Sequence, residues 1–474
     1  MRSSLFRILG GSLLTFAIIW ALVLAWWQSN DYEPSRVDLA LYLGALPLAL
    51  VGGYLLLRGF IEHVKAPPPV VSPANPSSVS DDDPLAGVRA KTAAAERTFS
   101  LCLVETCVTL PAGASDDEIL SAIEAGKRPG PSARLSDDAG FPVFLAEVQD
   151  IDVDAMTERL SEDAGPIRQL ADQPSMVRAL ALLDRTMARA RESVEAIFAQ
   201  SAEKLRLHLL WLVPADCNPA HFPGMRIWLQ LNYWSKLDKT DLDITLVPAA
   251  NEADAMRQVD ESILRANRDP SSNELILIVG AVSAVDEVTV ESWAVGNKLF
   301  SAQHQDRRIP GEGAIALLFA TRHLVERLQL DGAAVISRVS LGARDKSLDA
   351  GGRIGGKLIA QLVAGLLDVT TTDSTQIKAA VFDSDHRANH VAEAMEGLGE
   401  AFEHLDPAKD CLAIGTVNGT LSPIGSLIAL ACARAKVLAD QAPVLCVSNQ
   451  HELDRAVLLA MPFVAVNKTE PSSI

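Results

Sequence analysis

Basic residues are in short supply: 42 Lys+Arg stand against 60 Asp+Glu, leaving the 474-residue chain with a formal net charge of −18. No Lys/Arg-rich run with interleaved aromatics occurs, and an excess of carboxylates repels phosphate backbones, so nucleic acid is not expected as a partner. Cysteine is scarce as well. The six (Cys102, Cys107, Cys217, Cys411, Cys432 and Cys446) are scattered, without a C-x-x-C pair or a ladder of regular spacing. That pattern speaks against a small disulfide-stapled domain and suits a reducing compartment, where most of the thiols pack as small hydrophobes. There is no short-period repeat. Gly351-Gly-Arg-Ile-Gly-Gly lacks the Gly-Lys-Ser/Thr ending of a phosphate loop and reads as a hinge or turn before a helix. What is abundant is apolar: 49% of residues are hydrophobic, enough for a large core in two to four average domains or in one α/β unit of two similar halves.

The longest apolar runs come first. From Ile8 to Trp27 (ILGGSLLTFAIIWALVLAWW) no charge intervenes, and Leu39 to Leu57 (LALYLGALPLALVGGYLLL) is a second such run, with Pro47 tolerated because a membrane helix recovers its backbone bonds around a kink. Each matches the ~20 residues that cross a hydrocarbon core. Residues 1–65 therefore read as a transmembrane helical hairpin, with Trp26, Trp27, Tyr32 and Tyr42 near the interfaces. The first run is longer than a signal-peptide core and ends in Trp26-Trp27-Gln28 instead of small residues, which argues for retention. Arg2, Arg7, Arg58 and Lys65 flank the pair, whereas the connecting loop holds only Arg36 among acids. Both ends and the body are thus expected on the cytoplasmic side of a bacterial inner membrane, in a two-pass arrangement. Residues 66–95, opening APPPVVSPANPSSVSDDDP, read as a Pro/Ser-rich acidic spacer.

Beyond Arg97, β-rich runs alternate with helical patterns. Strands are expected at Phe99 to Val104, Phe141 to Val148, Leu205 to Val213, Asp243 to Val247 and Glu274 to Val282, then at Ala314 to Ala320, Ala334 to Leu341, Ile377 to Phe382 and Pro443 to Ser448. Helices fall at Ser115 to Ala125, Met176 to Gln200, Ala253 to Arg268, Lys357 to Leu367, Asn389 to Phe402 and Pro423 to Leu438. The rhythm is α/β.

Two stretches carry a family likeness. Asp306-Arg-Arg-Ile-Pro-Gly-Glu-Gly-Ala-Ile-Ala-Leu-Leu-Phe-Ala320 places a Gly-Glu-Gly turn (Gly311, Glu312, Gly313) ahead of an apolar strand, and Leu275 to Ser283 is an apolar strand before it. Gly415 to Leu430 (GTVNGTLSPIGSLIAL) is a Gly-rich loop that opens a helix. In order and spacing these resemble pieces of β-ketoacyl synthases and the wider thiolase-like superfamily. The resemblance covers the latter half of the chain and extends to Arg97–Val247 only by element order. It implies a thiolase-like αβαβα layered fold of two related halves, drawn here at 96–255 and 256–474, preceded by the two transmembrane helices. It also implies a homodimer.

Ketosynthase chemistry needs a cysteine at a strand-to-helix elbow, where the helix N-terminus stabilises thiolate, and two histidines. The resemblance places the cysteine near Ala250 or Asn251, where there is no thiol. It places the first histidine at Ser384 or Asp385, with His386 adjacent, and the second near Gly419, with no histidine close. No catalytic residue, metal or cofactor is therefore assigned. The chain is expected to be a pseudoenzyme that acts as a membrane-anchored binding scaffold or adaptor. Its partner would be a protein, an effector or secretion component, as in the lipase adaptors of type VI secretion, by analogy of architecture alone.

Two alternatives stand beside that expectation. One is an acyl-chain or acyl-carrier handling protein that keeps an apolar pocket without the nucleophile. The other is a metal-dependent hydrolase using Asp383, Asp385, His386 and His390; against it, the two acids read as helix caps and the histidines as exposed. Cys217 with His221 sits in a Pro-rich run and reads as surface loop. Trp211, Trp228, Tyr233 and Trp234 read as core or interface packing, and Glu312 as an acceptor for backbone donors.

Overall fold

The computed structural model describes residues 86–465, apart from 138–139, 164, 238–239, 349 and 351–354, together with Trp20, Ala21, Trp26, Gln28 and Ser29. The expected hairpin, apart from those five positions, and the spacer as far as residue 85 lie outside the described residues. So do the first four positions of the Gly351 to Gly356 run. Among the described residues no helix is long and apolar enough to cross a membrane. The chain divides into two compact units at residues 88 and 89, and the following concerns the second. Part of the expected spacer is regular: Ala86–Arg97 is a helix, α1.

Among the described residues thirteen strands follow: β1 (Ser100–Thr109), β2 (Gly130–Ser136), β3 (Pro142–Leu145), β4 (Arg206–Pro214), β5 (Leu242–Ala249), β6 (Glu274–Ser283), β7 (Glu312–Ala320), β8 (Ala334–Ser337), β9 (Ser340–Ala343), β10 (Ala379–Phe382), β11 (Cys411–Ala413), β12 (Val444–Ser448) and β13 (Asp454–Pro462). Between them lie α2 (Asp116–Glu124), α3 (Val153–Glu162), α4 (Pro174–Gln200), α5 (Phe222–Tyr233), α6 (Glu252–Arg268), α7 (Glu287–Val295), α8 (Arg322–Leu328), α9 (Lys357–Thr370), α10 (Ala388–Leu398), α11 (Gly415–Asn418) and α12 (Gly425–Asp440). Ser115 caps α2 by accepting from the Glu118 amide, ahead of three acids in the first turn that suit the helix dipole.

The strand order is that of a duplication. One stretch of the sheet runs β5-β4-β6-β7-β1 and the other β11-β10-β12-β13 with β8 and β9 both on β13. In each, the first three strands are parallel and the fourth is antiparallel to both neighbours. Pairing of β1 with β8 joins the two. The seam between halves therefore lies between β7 and β8, not between residues 255 and 256. Residues 256–320 belong to the first half, which is the longer because a β2–β3 hairpin and helices α3 and α4 intervene between β1 and β4.

The layers follow from which faces are apolar. Helices α6 and α12 contribute to one cluster with the inward residues of both sets of strands, such as Leu210, Ile278 and Leu317 from the first and Val381, Cys446 and Leu458 from the second. Helix α12 is buried over most of its length, as expected of an element covered on both sides. Outside, α4 and α5 pack on the other face of the first half with Trp211 and Trp228, and α9 and α10 on the second. The result is αβαβα. The four-aromatic group is buried, with Trp228 lying 6.2 Å from Trp211 and 5.6 Å from Tyr233 between ring centres. Gly356 begins α9, and a side chain there would collide with the backbone of Gly397 in α10, so that glycine permits a close helix contact.

Candidate functional site

The carboxyl ends of β5, β10 and β12 meet around the N-termini of α6 and α12. Strand β5 ends at Ala249, Ala250 is exposed, and Asn251 caps α6 by accepting from the Asp254 amide at 3.0 Å. The Asn251 amide group donates to Asp454 Oδ2 at 2.9 Å, and the same oxygen lies 3.1 Å from His451 Nδ1. The next residue, Glu252, is fully buried at the first turn of α6. Burial drives its carboxyl up from the ordinary range, although its own backbone amide, His451, Arg308 and the Ser422 hydroxyl favour the ionised form. Its Oε1 has no hydrogen-bond partner.

Asp383, just past β10, faces the same place. Its Oδ1 accepts from the Asn449 and Gln450 amides at 2.7 and 3.0 Å, and Oδ2 from Ser448 Oγ at 2.5 Å. Burial, and then the neighbouring Glu252 carboxyl, push it up to about 7 despite these donors. Gly425, at the start of α12, faces both side chains: a Cβ there would make ordinary contact with Glu252 Cγ at 3.7 Å and Asp383 Cβ at 3.8 Å. Two carboxyl groups thus share a buried site that cannot easily hold two charges.

Asp385 faces elsewhere. Both its oxygens accept from Arg387 Nε, at 2.9 and 3.0 Å, and Oδ2 also accepts from Gln450 Nε2 at 2.8 Å. Burial opposes ionisation, but Arg387 and His390 hold this carboxyl well below the usual range. His390 is fully buried, bonded through Nδ1 to the Asn449 carbonyl at 2.8 Å, and burial brings it down to about 4. It is not on an exposed helix face, and the cap of α10 is Arg387, not an aspartate. His386 instead reaches the Gln305 carbonyl at 3.2 Å and packs edge-on against Phe300. The alternative metal centre is not assembled: Asp383 is committed to amides and a serine, Asp385 to arginine, and no group of three or more His, Cys, Asp or Glu suited to a metal occurs among the described residues.

The two likeness-bearing stretches lie against one another. Thr420 donates its amide to the Ile309 carbonyl at 2.9 Å. Gly419 adopts φ +67, and a side chain on it would press on that same carbonyl, so this position serves backbone packing. Gly311 likewise leaves room for the Asn418 carbonyl, and Gly313 for the side chain of Leu110. Glu312 is fully buried: Oε1 accepts from the Val148 amide and Arg178 Nη2, each at 2.8 Å, and Oε2 from Arg178 Nε at 2.6 Å and Ser283 Oγ at 3.0 Å. With every lone-pair direction used, it ties β7 to α4 and to the loop after β3.

Ala250 opens on a cavity of about 480 Å³. Met176, Leu180, Trp211, Val213 and Met225 give it an apolar wall, and Arg308, Thr420 and Ser422 line it as well. Cys217 lines it too and is half-buried, its thiol raised by that burial, so its segment is more than surface loop; His221 is buried without lining the cavity. All six cysteines are free. Of the sequence-picked positions, the structure brings Ala250 to the cavity, Asn251 to the elbow, and Ser384, Asp385 and Gly419 into buried supporting roles. It adds Glu252, His451, Ser422 and Arg308. Glu252 and Arg308 stood next to residues already singled out, while His451 and Ser422 lie on loops whose approach only the fold determines.

No family model matches the chain, and no curated protein matches it. Solved structures do. A type II polyketide-synthase acyl-carrier protein in complex with its ketosynthase bound to the hexaketide matches with a TM-score of 0.54 at 9% identity, over 77% of this chain and all of that one. A β-ketoacyl synthase from Burkholderia phymatum matches at TM-score 0.52 and 12% identity, over 77% of this chain and 100% of its own. The ketosynthase of module 1 of the bacillaene synthase from Bacillus amyloliquefaciens gives 0.52 at 11%, over 80% and 75%. The fold is therefore thiolase-like, of the ketosynthase kind.

Proposed function

We propose that this chain is a ketosynthase-fold protein without condensation chemistry, working as a membrane-held binding scaffold that keeps an acyl chain in the cavity beside the α6 elbow. The reading rests on one juxtaposition: the elbow opens on an apolar cavity, but it presents the methyl group of Ala250 where a nucleophile would stand. A pair of buried carboxyls, Glu252 and Asp383, lies behind it. A thiolate needs a thiol and a stabilising cation or helix N-terminus. Here the helix N-terminus is already supplied with a carboxyl from its own first turn. His451 does approach the elbow, but its Nδ1 is held by Asp454, and without a nucleophile it has no proton to take in a condensation.

The full-length chain incubated with a medium-chain acyl thioester and examined by intact mass should show neither a covalent acyl adduct nor consumption of the thioester, while native mass spectrometry shows the acyl chain retained. A stable adduct or turnover would overturn the inactive part of the reading. Absence of any retained chain would overturn the binding part.

A further inference from the structure

The cavity wall holds a cation without a hydrogen-bonded partner among the described residues. Arg308 and Asp216 are the charged residues in its wall, and Asp216 is exposed. The Arg308 backbone is used in pairing with the 298–300 segment, its amide donating to the Lys298 carbonyl and its carbonyl accepting from the Phe300 amide, both at 2.9 Å. Its guanidinium makes no hydrogen bond or ion pair with any described residue. Other sheltered arginines of this body are matched: Arg178 to Glu312, Arg338 to Asp260, Arg387 to Asp385 and Arg455 to Glu393. A half-buried guanidinium beside an apolar wall, with five donors and no acceptor, is built to receive an anion. Glu252 attracts it electrostatically, but the two share no hydrogen bond. Ser422 and Thr420 also line the cavity, their hydroxyls directed to Glu252 and Asp385.

We propose that Arg308 is the head-group residue of the cavity, pairing with the anionic end of an acyl chain, a carboxylate or a phosphoryl group, whose tail lies among Met176, Leu180, Trp211, Val213 and Met225. This rests on the acyl-binding reading and adds the ligand's charge to it. A free fatty acid would supply a carboxylate, and a chain carrying a phosphate monoester at its end would supply a phosphoryl group.

Trp211 and Trp293 line the cavity and report its occupancy. The full-length chain in lipid nanodiscs is titrated with 12-bromododecanoate, 12-bromododecanol and 12-bromododecyl phosphate, following quenching of tryptophan fluorescence. The wild type should bind at least one anionic ligand about tenfold more tightly than the alcohol, as one charge-assisted pair allows. Arg308→Gln should erase that ratio while leaving alcohol binding unchanged, and Arg308→Lys should keep part of it. Preference for carboxylate assigns a fatty acid as the source, and preference for phosphate assigns a chain ending in a phosphate monoester. An alcohol bound as tightly as both anions, or a ratio unchanged in Arg308→Gln, overturns the assignment and leaves acyl binding standing. Quenching by none of the three overturns both.

Discussion

The two buried carboxyls make the most specific demand on experiment. Replacing Glu252 by Gln keeps the side-chain shape at the start of α6 and removes a group that competes with Asp383 for charge. A carboxyl raised from 3.8 to about 7 costs the folded state about 4 kcal/mol between those two pH values, since each pH unit is worth about 1.4 kcal/mol. The sign follows from proton counting. Between pH 4 and 7 the folded state holds a proton that the unfolded chain releases, so stability is fully present below the unfolded value and is lost as pH rises through the folded one. Burial, the larger cause, persists in the variant; the Glu252 part does not. Glu252→Gln should therefore be more stable than wild type at pH 8, with the difference vanishing toward pH 4. Urea unfolding of both proteins at pH 4.5, 6 and 8, followed by tryptophan emission, measures this. A variant destabilised equally at every pH would refute the claim that the two groups share a charge-limited site.

Other consequences can be read alongside. Glu312→Ala strands the Arg178 guanidinium, the Val148 amide and the Ser283 hydroxyl, so it should cost about 3–5 kcal/mol in thermal or chemical unfolding; a loss below 1 would remove its anchoring role. Ala250→Phe fills the cavity beside the elbow and should abolish acyl retention in native mass spectra, with stability within about 0.5 kcal/mol of wild type because the position is exposed. Gly356→Ala drives a methyl group into the Gly397 backbone and should cost about 1–3 kcal/mol at equilibrium; a neutral outcome would show that α9 and α10 can part freely.

Much of the architecture was legible where the physics is local. The apolar run Leu275 to Val282 within the expected strand Glu274 to Val282 reads as a covered strand, Ser115 followed by three acids reads as the start of a helix, and both formed. Short elements were lost: β11 has three residues, and the Ala334 to Leu341 run breaks into β8 and β9 where Arg338 turns to meet Asp260. The central strand β13 was missed because it begins with two charged residues, Asp454 and Arg455, and the arginine is buried only because Glu393 meets it from another helix. At the site, sequence spacing found the elbow at Ala250 and Asn251 but could not see past it. The meeting of Glu252 with Asp383, like the free guanidinium of Arg308, depends on chain segments far apart in sequence, and no local pattern encodes such a meeting.

The measurement that bears most directly on the account is the content of the cavity in the protein as it is made. The tagged full-length chain, purified from its own membranes under mild detergent, is split for native mass spectrometry and for identification of copurifying lipids and proteins. The account predicts an acyl species bound noncovalently and lost in Ala250→Phe, with no acyl mass added to the denatured chain. An empty cavity in the wild type, or an acyl group that survives denaturation, would contradict it.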